Sequence, residues 1–162
     1  MENISAQLAD GVEEIMDTYG NMLFRLCLIR LGNASDAEDA VQETMIKYLQ
    51  NDLKFKDAEH QKAWLIRVAS NKCKDILRFK SKHSTVNIEE VNEFTKDYSG
   101  SDIISALMTL PDKYKTVLIL HYVEGYSVNN IAKAIGRTSS AVKMRLQKGR
   151  KLLAEAYRRE WV

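Results

Sequence analysis

The sequence has little of what an all-β, a disulfide-stabilised or a membrane-spanning protein needs. One proline and seven glycines in 162 residues leave few turn residues for a fold of short strands. No basic and apolar leader opens the sequence, and no apolar run approaches the roughly 18 residues that cross a bilayer. We therefore expect a cytoplasmic protein that is not inserted in a membrane.

Cysteine and histidine are also scarce. Cys27 and Cys73 fall on apolar helical faces without the spacing of metal ligands, so we expect two buried, reduced thiols. The three histidines are scattered, with no cysteine or carboxylate at ligand spacing. The sequence contains no Gly-rich phosphate loop, no HExxH pair and no nucleophile elbow. These absences argue against a metal site, a cofactor and an enzyme.

What the sequence does contain is the pattern of a folded, helical protein. Apolar residues make up 45% and charged residues 28%, which argues against wholesale disorder. Leucine, lysine, glutamate and alanine dominate in helix-like patterns. The length allows two domains, since a helical unit near about 80 residues can still bury a core. We predict an all-α protein made of two small helical domains.

Charge is unevenly distributed along the chain, although the net charge is only +2. Residues 1–52 hold ten acidic and three basic residues, a balance of −7. Residues 137–159 hold eight basic residues and one acidic residue, a balance of +7. This separation predicts two different partners, a basic one for the first segment and a polyanionic one for the last.

Three helices are predicted in the first half of the chain. Val12 to Leu31 forms the first, and Ser35 is a good N-cap for the second, with Glu38 completing a capping box. The third runs from Gln61 to Lys80, after a polar loop over Asn51 to His60. The second helix presents five polar side chains to solvent: Asp36, Glu38, Asp39, Gln42 and Glu43. The third carries a cationic stripe at spacings of four, three and four: Arg67, Asn71, Lys74 and Arg78.

Residues 81–101 break the helical period. The segment is acidic, has little apolar content and ends in Ser-Gly-Ser, which predicts a flexible linker. We therefore assign residues 1–80 to the first domain and residues 102–162 to the second. The second domain opens with a short helix over Asp102 to Leu110, and the next begins at Pro111 and stops at Glu124 and Gly125.

The segment from Ser127 onward has the pattern of a helix-turn-helix. It reads SVNNIAKAIGRTSSAVKMRLQKGRKLL, a short helix, a glycine, a capping pair and a longer basic helix. Small Ala132 allows the second helix to approach, and Gly136 can adopt the positive φ of the turn. Thr138 and Ser139 are suited to cap the second helix.

The longer helix has two opposite faces when its residues are placed at about 100° each. Its apolar face groups four residues: Val142, Leu146, Gly149 and Leu153. Its outer face groups three residues flanked by two lysines: Met144, Gln147, Lys151, Lys143 and Lys148. An apolar inner and a basic outer face is typical of a recognition helix in the DNA major groove. A surface helix that is merely basic is the alternative.

With both halves considered, the chain resembles the extracytoplasmic-function class of sigma factors in the sigma-70 family, over nearly all its length. DAEDAVQE, from Asp36 to Glu43, resembles region 2.2, which docks on the clamp helices of the polymerase β′ subunit. AWLIRVASNKCKDILR, from Ala63 to Arg78, resembles regions 2.3 and 2.4, which open and read the −10 element. LPDKYKTVLILHYVEGYSVNNIAKAIGRTSSAVKMRLQKGR resembles region 4, which binds the β flap and reads the −35 element.

The resemblance assigns roles to three groups of residues. Polymerase docking falls to Asp36, Glu38, Asp39, Gln42 and Glu43, although a solvated helix face would have the same composition. The −10 element falls to the cationic stripe and the loop before it: Lys54, Phe55, Lys56, His60, Arg67, Asn71, Lys74 and Arg78. Phe55 has two interpretations, since it could help to hold a flipped base or could cap the domain core. The −35 element falls to Ser139, Ser140, Lys143, Met144, Gln147, Lys148 and Lys151.

The resemblance therefore implies a sigma factor without catalytic chemistry of its own. Its implied partners are core RNA polymerase, promoter DNA and an anti-sigma factor or another control on availability. Two other functions stay open at this point. One is a free-standing helix-turn-helix regulator, whose N-terminal bundle senses a ligand or dimerises, and the other is an enzyme with a helical DNA-binding appendage.

Overall fold

The computed structural model describes residues 2–80 and 101–161 of the chain. Seven α-helices lie within these residues: α1 (Glu2–Leu31), α2 (Ala34–Gln50), α3 (Ala58–Lys80), α4 (Ser101–Met108), α5 (Asp112–Leu118), α6 (Val128–Ile135) and α7 (Ser139–Trp161). A π-helical turn, Ile119–Val123, continues α5. The described residues contain no strand, so the all-α prediction is confirmed. Apart from residue 101, the predicted linker lies outside the described residues.

The N-terminal unit is formed by α1, α2 and α3, which all contact one another. Each helix contributes one apolar face to a shared core, in which the following side chains are fully buried: Leu23, Leu26, Ala37, Ala40, Leu65 and Ala69. The helix α1 begins at Glu2 rather than at the predicted Val12, because the segment before Val12 contains no proline and several good helix formers.

The start of α2 differs from the sequence prediction by two residues. Asn33 is the N-cap, and its side-chain oxygen accepts a hydrogen bond from the backbone N–H of Asp36 at 2.9 Å. The predicted cap at Ser35 is therefore wrong, and Ser35 lies inside the helix. Both residue types are good caps. Asn33 takes the position because α1 ends at Leu31 and the chain turns at once into α2.

The helix α3 also starts earlier than predicted, at Ala58 instead of Gln61. The Asp57 carboxylate accepts a hydrogen bond from the backbone N–H of His60 at 2.8 Å, as an N-cap side chain does. His60 therefore belongs to the first turn of α3 and not to the loop, which is a correction to the predicted loop boundary.

The C-terminal unit contains α4, α5, the π-helical turn, α6 and α7. The helix α7 packs against α4, α5 and α6, so it forms the centre of this unit. It approaches α5 most closely at Gly149, where an added Cβ would lie 3.2 Å from Leu118 Cδ1. That separation is tighter than an ordinary contact, so Gly149 permits the close crossing of the two helices.

The helix-turn-helix predicted from the sequence is present in α6 and α7. Ser127 caps α6 by accepting from the backbone N–H of Asn130 at 3.1 Å. Gly136 ends α6 in the left-handed region, with φ of 69°, where a side chain would be strained. Thr138 Oγ1 accepts from the backbone N–H of Ala141 at 3.1 Å, so Thr138 caps α7 as predicted.

The two units pack directly against each other, α3 against α6 and α1 against α5. At the centre of this contact Arg30, from α1, donates two hydrogen bonds of 2.8 and 2.7 Å to the carboxylate of Asp112, from α5. The Arg30 side chain is only 1% exposed. Burial lowers the pKa of Arg30, but the hydrogen bonds and charge of Asp112 more than compensate, so its net shift is upward. This pair is the main buried ionic contact between the units.

Among the described residues, four further contacts join the two units, in addition to the bonds of Arg67 to the end of α6. Arg25 forms a bidentate ion pair with Glu124, with both hydrogen bonds at 3.1 Å. Lys115 Nζ donates to the carbonyl oxygens of Ile29 and Arg30 near the end of α1, at 3.3 and 3.1 Å. The other two contacts join α3 to the C-terminal unit. Lys62 Nζ lies 4.1 Å from the centre of the Tyr126 ring, and Asn130 Nδ2 donates a hydrogen bond to Glu59 Oε2 at 3.1 Å. The interface is therefore polar and charged around its centre.

Candidate functional site

The acidic face of α2 is built by the helix period itself. Ala37, Ala40 and Val41 are buried on the core side, which leaves the predicted polar residues on the other. Glu38, Asp39 and Gln42 are exposed, whereas Asp36 and Glu43 are half-buried. Asp36 is paired with Lys80 of α3, whose Nζ lies 2.7 Å from its carboxylate oxygen. Asp36 thus differs from the rest of the face, since it also ties α2 to α3.

A groove of 790 Å³ runs between this acidic face and the end of α3. Asp39 and Glu43 line it on the α2 side, beside the exposed apolar side chain of Ile46. Arg78 also lines this groove, away from the other three residues of the predicted cationic stripe. The lining is acidic on the α2 side, whereas on the α3 side Lys72, Arg78 and Lys80 accompany Asp75, and Ile46, Ile76 and Phe79 add apolar surface. Such a groove suits an amphipathic helix of a partner protein whose basic side faces α2.

The loop before α3 is organised around Phe55. Its ring stacks on Tyr48 with the centroids 6.2 Å apart, and it contacts the rings of His60 and Trp64 edge to face at 5.3 and 5.7 Å. Phe55 is half-buried in this cluster, whereas Lys54 and Lys56 are exposed. His60 Nδ1 accepts a hydrogen bond from the backbone N–H of Lys56 at 3.1 Å, which holds the loop against α3. The contacts favour the core-capping interpretation of Phe55 in this conformation.

Three residues of the cationic stripe face the C-terminal unit. Arg67, Asn71 and Lys74 line a cavity of 230 Å³ between α3 and the helices of that unit. The Arg67 guanidinium donates to the carbonyl oxygens of Lys133 and Ala134, at the end of α6. Those carbonyls carry the negative end of the helix dipole and attract a cation. Arg67, Asn71 and Lys74 remain exposed to solvent, so the C-terminal unit borders this part of α3 without burying it.

The outer face of α7 is open. Val142 and Leu146 are buried against the rest of the unit, and Met144 on the opposite side is 71% exposed. The other predicted residues of this face are exposed too, except the half-buried Ser139: Ser140, Lys143, Gln147, Lys148 and Lys151. Ser139 Oγ donates to Asn129 Oδ1 at 2.7 Å, so this hydroxyl joins the two helices of the helix-turn-helix. The basic surface of α7 is thus open, whereas the stripe on α3, although exposed to solvent, faces the C-terminal unit across a small cavity.

Sequence reasoning missed the contact between the two units. Arg30 is a lone charge in the apolar run from Leu26 to Leu31, but Asp112 and Lys115 lie in a polar segment where charged residues are ordinary. Tyr126 lies between Gly125 and Ser127, where no helical pattern predicts burial. Its phenol is buried, and burial together with the nearby Glu59 raises its pKa far above the usual value. A buried arginine inside an apolar run, such as Arg30, is the one signal that pointed to a distant partner.

Cys27 and Cys73 are both fully buried and reduced, as predicted. They face each other in the core, and the hydrogen bond between the two side chains, with burial, raises the pKa of the Cys27 thiol well above its usual value. Among the described residues, no group of three or more histidine, cysteine or carboxylate side chains comes together for a metal ion. None of the described helices is long and apolar enough to span a bilayer.

Comparison with solved structures supports the architecture. The chain superposes on the structure of CnrH in complex with the cytosolic domain of CnrY, with a TM-score of 0.71, 22% identity and coverage of 96% and 95% of the two chains. It also superposes on RpoE from Bartonella quintana in complex with the anti-sigma factor NepR, with a TM-score of 0.69, 20% identity and coverage of 93% and 98%. At these identities the likeness concerns the fold.

Sequence comparison identifies the family. Residues 15–83 match Sigma-70 region 2 and residues 101–153 match Sigma-70, region 4. The chain is 31% identical to RNA polymerase sigma factor SigV of Bacillus subtilis, over 80% of this chain and 81% of SigV. It is 29% identical to the ECF RNA polymerase sigma factor SigW of the same species, over 92% of this chain and 90% of SigW. The chain therefore belongs to the sigma-70 family and is an RNA polymerase sigma factor of the extracytoplasmic-function class.

Proposed function

We propose that each of three surfaces of this chain performs a separate task of a sigma factor. The acidic face of α2, with the groove beside it, docks on the clamp helices of the polymerase β′ subunit. The C-terminal unit binds the β flap and places the outer face of α7 on the −35 element. The stripe on α3 and the loop before it open and read the −10 element. In this scheme the protein acts in the cytoplasm and performs no catalysis.

The observation that carries the proposal is the opposite chemistry of two exposed helix faces. On α2 the carboxylates line one side of a groove that also exposes apolar side chains, which matches a protein partner. On α7 the exposed side chains are lysines, Gln147 and Met144 around an apolar inner face, which matches a major groove and its phosphates. A free-standing regulator needs a DNA-binding face such as that of α7, but it does not need an acidic protein-binding face such as that of α2.

The packing of the two units adds a requirement for opening. In this packed, closed arrangement of the two units, Arg67 is bound to carbonyl oxygens of α6, and Asn71 and Lys74, although exposed to solvent, face a cavity of only 230 Å³. Reading the −10 element then requires that α3 separate from α6. Binding of α2 and the C-terminal unit to two distant sites on polymerase would supply the free energy for this separation.

We also propose that another protein controls this equilibrium. CnrH and the Bartonella quintana RpoE, whose folds this chain shares, were each solved in complex with another protein, which for RpoE is named as an anti-sigma factor. A partner of that kind that binds only the closed arrangement would hold α3 against α6. By thermodynamic linkage, such a partner would lower the affinity of the chain for polymerase by the factor by which polymerase lowers its affinity for the partner.

The test combines capture by core polymerase with run-off transcription on a promoter library. The expected result is that the purified chain co-elutes with core polymerase and produces promoter-dependent transcripts that core alone does not make. A gel shift with the isolated chain on duplex promoter DNA is the control. Specific duplex binding by the isolated chain, together with no capture by polymerase, would support a free-standing regulator instead.

A further inference from the structure

The cavity between the two units has an unusual charge. Among the described residues that line it, six are cationic and one is acidic: Arg30, Arg67, Lys74, Lys113, Arg137 and Arg145 against Asp112. Both oxygens of Asp112 are already bonded to Arg30. Within the described residues, none of the other five cations forms an ion pair. The cavity therefore gathers positive charge from both units, and the one acidic residue among its described lining residues, Asp112, is already paired with Arg30.

Two buried polar groups at this cavity have no hydrogen-bond partner. Arg30 uses Nε and Nη2 for Asp112, and its remaining nitrogen, Nη1, is buried and unpaired. Ser70, on α3, is also among the lining residues, and its buried Oγ has no partner either. Unpaired buried donors cost free energy, so natural proteins rarely keep them without a ligand or water to satisfy them. Both donors belong to side chains that are at least nine-tenths buried.

The shape and donors of the cavity select a class of ligand. A volume of 230 Å³ lies below the roughly 300 to 1,000 Å³ of pockets for drug-sized ligands, so the ligand is compact. Arginine nitrogens arranged on several sides suit the tetrahedral oxygens of phosphate, which accept charge-assisted hydrogen bonds. An anion would also relieve the repulsion among cations that the closed arrangement brings together.

We propose that this cavity binds a compact phosphate-class anion, inorganic phosphate or pyrophosphate, that holds the two units together. Arg30 and Ser70 line the cavity from the N-terminal unit, and a local side-chain rotation on binding turns their buried, unpaired donors toward the anion. Arg137 and Arg145 close the site from the C-terminal unit. The anion is therefore bound by both units at once and stabilises the closed arrangement. That this also withholds α3 from the −10 element rests on the proposed function, whereas the binding itself does not.

Isothermal titration calorimetry of pyrophosphate and of phosphate into the full chain, at low salt, tests the site. One-to-one binding is expected, and Arg145→Gln should weaken it roughly tenfold, as expected for loss of a charge-assisted hydrogen bond. Ser70→Ala should weaken binding without any change of charge. Arg158→Gln is the matched control, since Arg158 is exposed near the far end of α7 and does not line the cavity. It should bind as the unchanged chain does.

A second readout follows the distance between the units. Dyes on the exposed residues Asp17 of α1 and Arg159 of α7 report it by energy transfer. Pyrophosphate should narrow the distance distribution of the unchanged chain and leave that of Arg145→Gln as it was. Equal weakening in Arg145→Gln and Arg158→Gln would mean general attraction to a basic surface and overturn the proposal. Undiminished binding of pyrophosphate by both single variants, Ser70→Ala and Arg145→Gln, would also overturn the proposal. Neither measurement uses polymerase or DNA, so both results are independent of whether the proposed function is correct.

Discussion

Adjacent residues of α7 have opposite environments. Leu146 is 3% exposed and packs into the C-terminal unit, whereas Gln147 points outward. Leu146→Ala should therefore cost about 2 to 5 kcal/mol of stability in this unit, as large-to-small core substitutions do. Gln147→Ala should leave the melting temperature unchanged and alter preference at one or two −35 bases by about 1 to 3 kcal/mol. Thermal melts and a −35 promoter library transcribed by holoenzyme measure the two effects.

Lysines beside Gln147 provide the comparison for that experiment. Lys143→Gln should weaken binding to all −35 sequences alike, because a phosphate contact carries no sequence information. It should also reduce the slope of log K against log salt concentration by about one, because one fewer counterion is released. The assignment of the DNA-facing side of α7 is wrong if Gln147→Ala keeps base preference while Leu146→Ala changes it without destabilising the unit.

The two cysteines give a prediction about reactivity. Cys27 and Cys73 are fully buried, and the raised pKa of Cys27 reduces its thiolate fraction at pH 8 below that of a free cysteine. Neither thiol should react with iodoacetamide at pH 8 on the timescale on which free cysteine is consumed, and both should react in guanidinium chloride. Mass spectrometry of the alkylated protein counts the modified thiols. Fast modification of the native chain would show that the α1–α3 core opens frequently.

At the scale of single helices, the sequence predicted types better than ends. The amphipathic patterns of α2, α3 and α7 were strong, because burial of one face governs each helix. The helix starts were less certain, since Asn33 and Ser35 are both good caps and only the geometry of the preceding turn selects one. The π-helical turn at Ile119–Val123 had no signal in the sequence, because its residues also suit an α-helix.

The acidic face of α2 gives the test of polymerase docking. Asp39→Arg with Glu43→Arg reverses the charge beside the groove without touching the core, so helicity and melting temperature should persist. Capture by core polymerase should fall at least about tenfold, since like charges opposed at an interface cost several kcal/mol. Quantitative pulldown measures this loss.

The helix α1 supplies a matched control for this pair. Glu13 and Asp17 are exposed and lie four residues apart, the same spacing as Asp39 and Glu43. Glu13→Arg with Asp17→Arg makes the same change of net charge on another helix. Capture by polymerase should stay close to that of the unchanged chain. If both double substitutions weaken capture equally, total charge and not the α2 groove determines docking.

For the whole molecule, the buried pair of Arg30 and Asp112 predicts an asymmetry between two substitutions. Asp112→Ala leaves the Arg30 guanidinium buried without a counter-charge, which costs about 3 to 5 kcal/mol in comparable pairs. The units should separate, since separation returns Arg30 to water. Arg30→Met removes the buried charge and fills similar volume, so the closed arrangement should persist.

Small-angle X-ray scattering distinguishes these outcomes. A compact chain of 162 residues has a radius of gyration of about 15 Å. The unchanged chain and Arg30→Met should lie near that value, and Asp112→Ala should exceed it by several ångströms. Equal expansion in both variants would mean that the apolar part of Arg30 and not its charge holds the units together.

The arrangement of the two units was beyond sequence reasoning. Each unit could be predicted because its core is made of contacts between helices that follow one another, with a regular apolar period. The contact between the units depends on isolated polar residues, such as Arg25 and Glu124, that lie 99 positions apart. Nothing local marks such a pair. The surfaces proposed for polymerase and DNA could be assigned from the sequence, but which of them faces the other unit could not.

The separation of Arg30 from Asp112 along the chain also sets an order of events during synthesis. The two residues are 82 positions apart, so at about 5 to 20 residues per second the ribosome makes the partner of Arg30 about 4 to 16 seconds after Arg30 itself. The first three helices are complete at Lys80, 32 residues before Asp112, so they have about 2 to 6 seconds to fold with the guanidinium still in water. A nascent chain thus carries an uncovered α3 before its own C-terminal half can reach it, and translation ends with a docking step between two folded bodies.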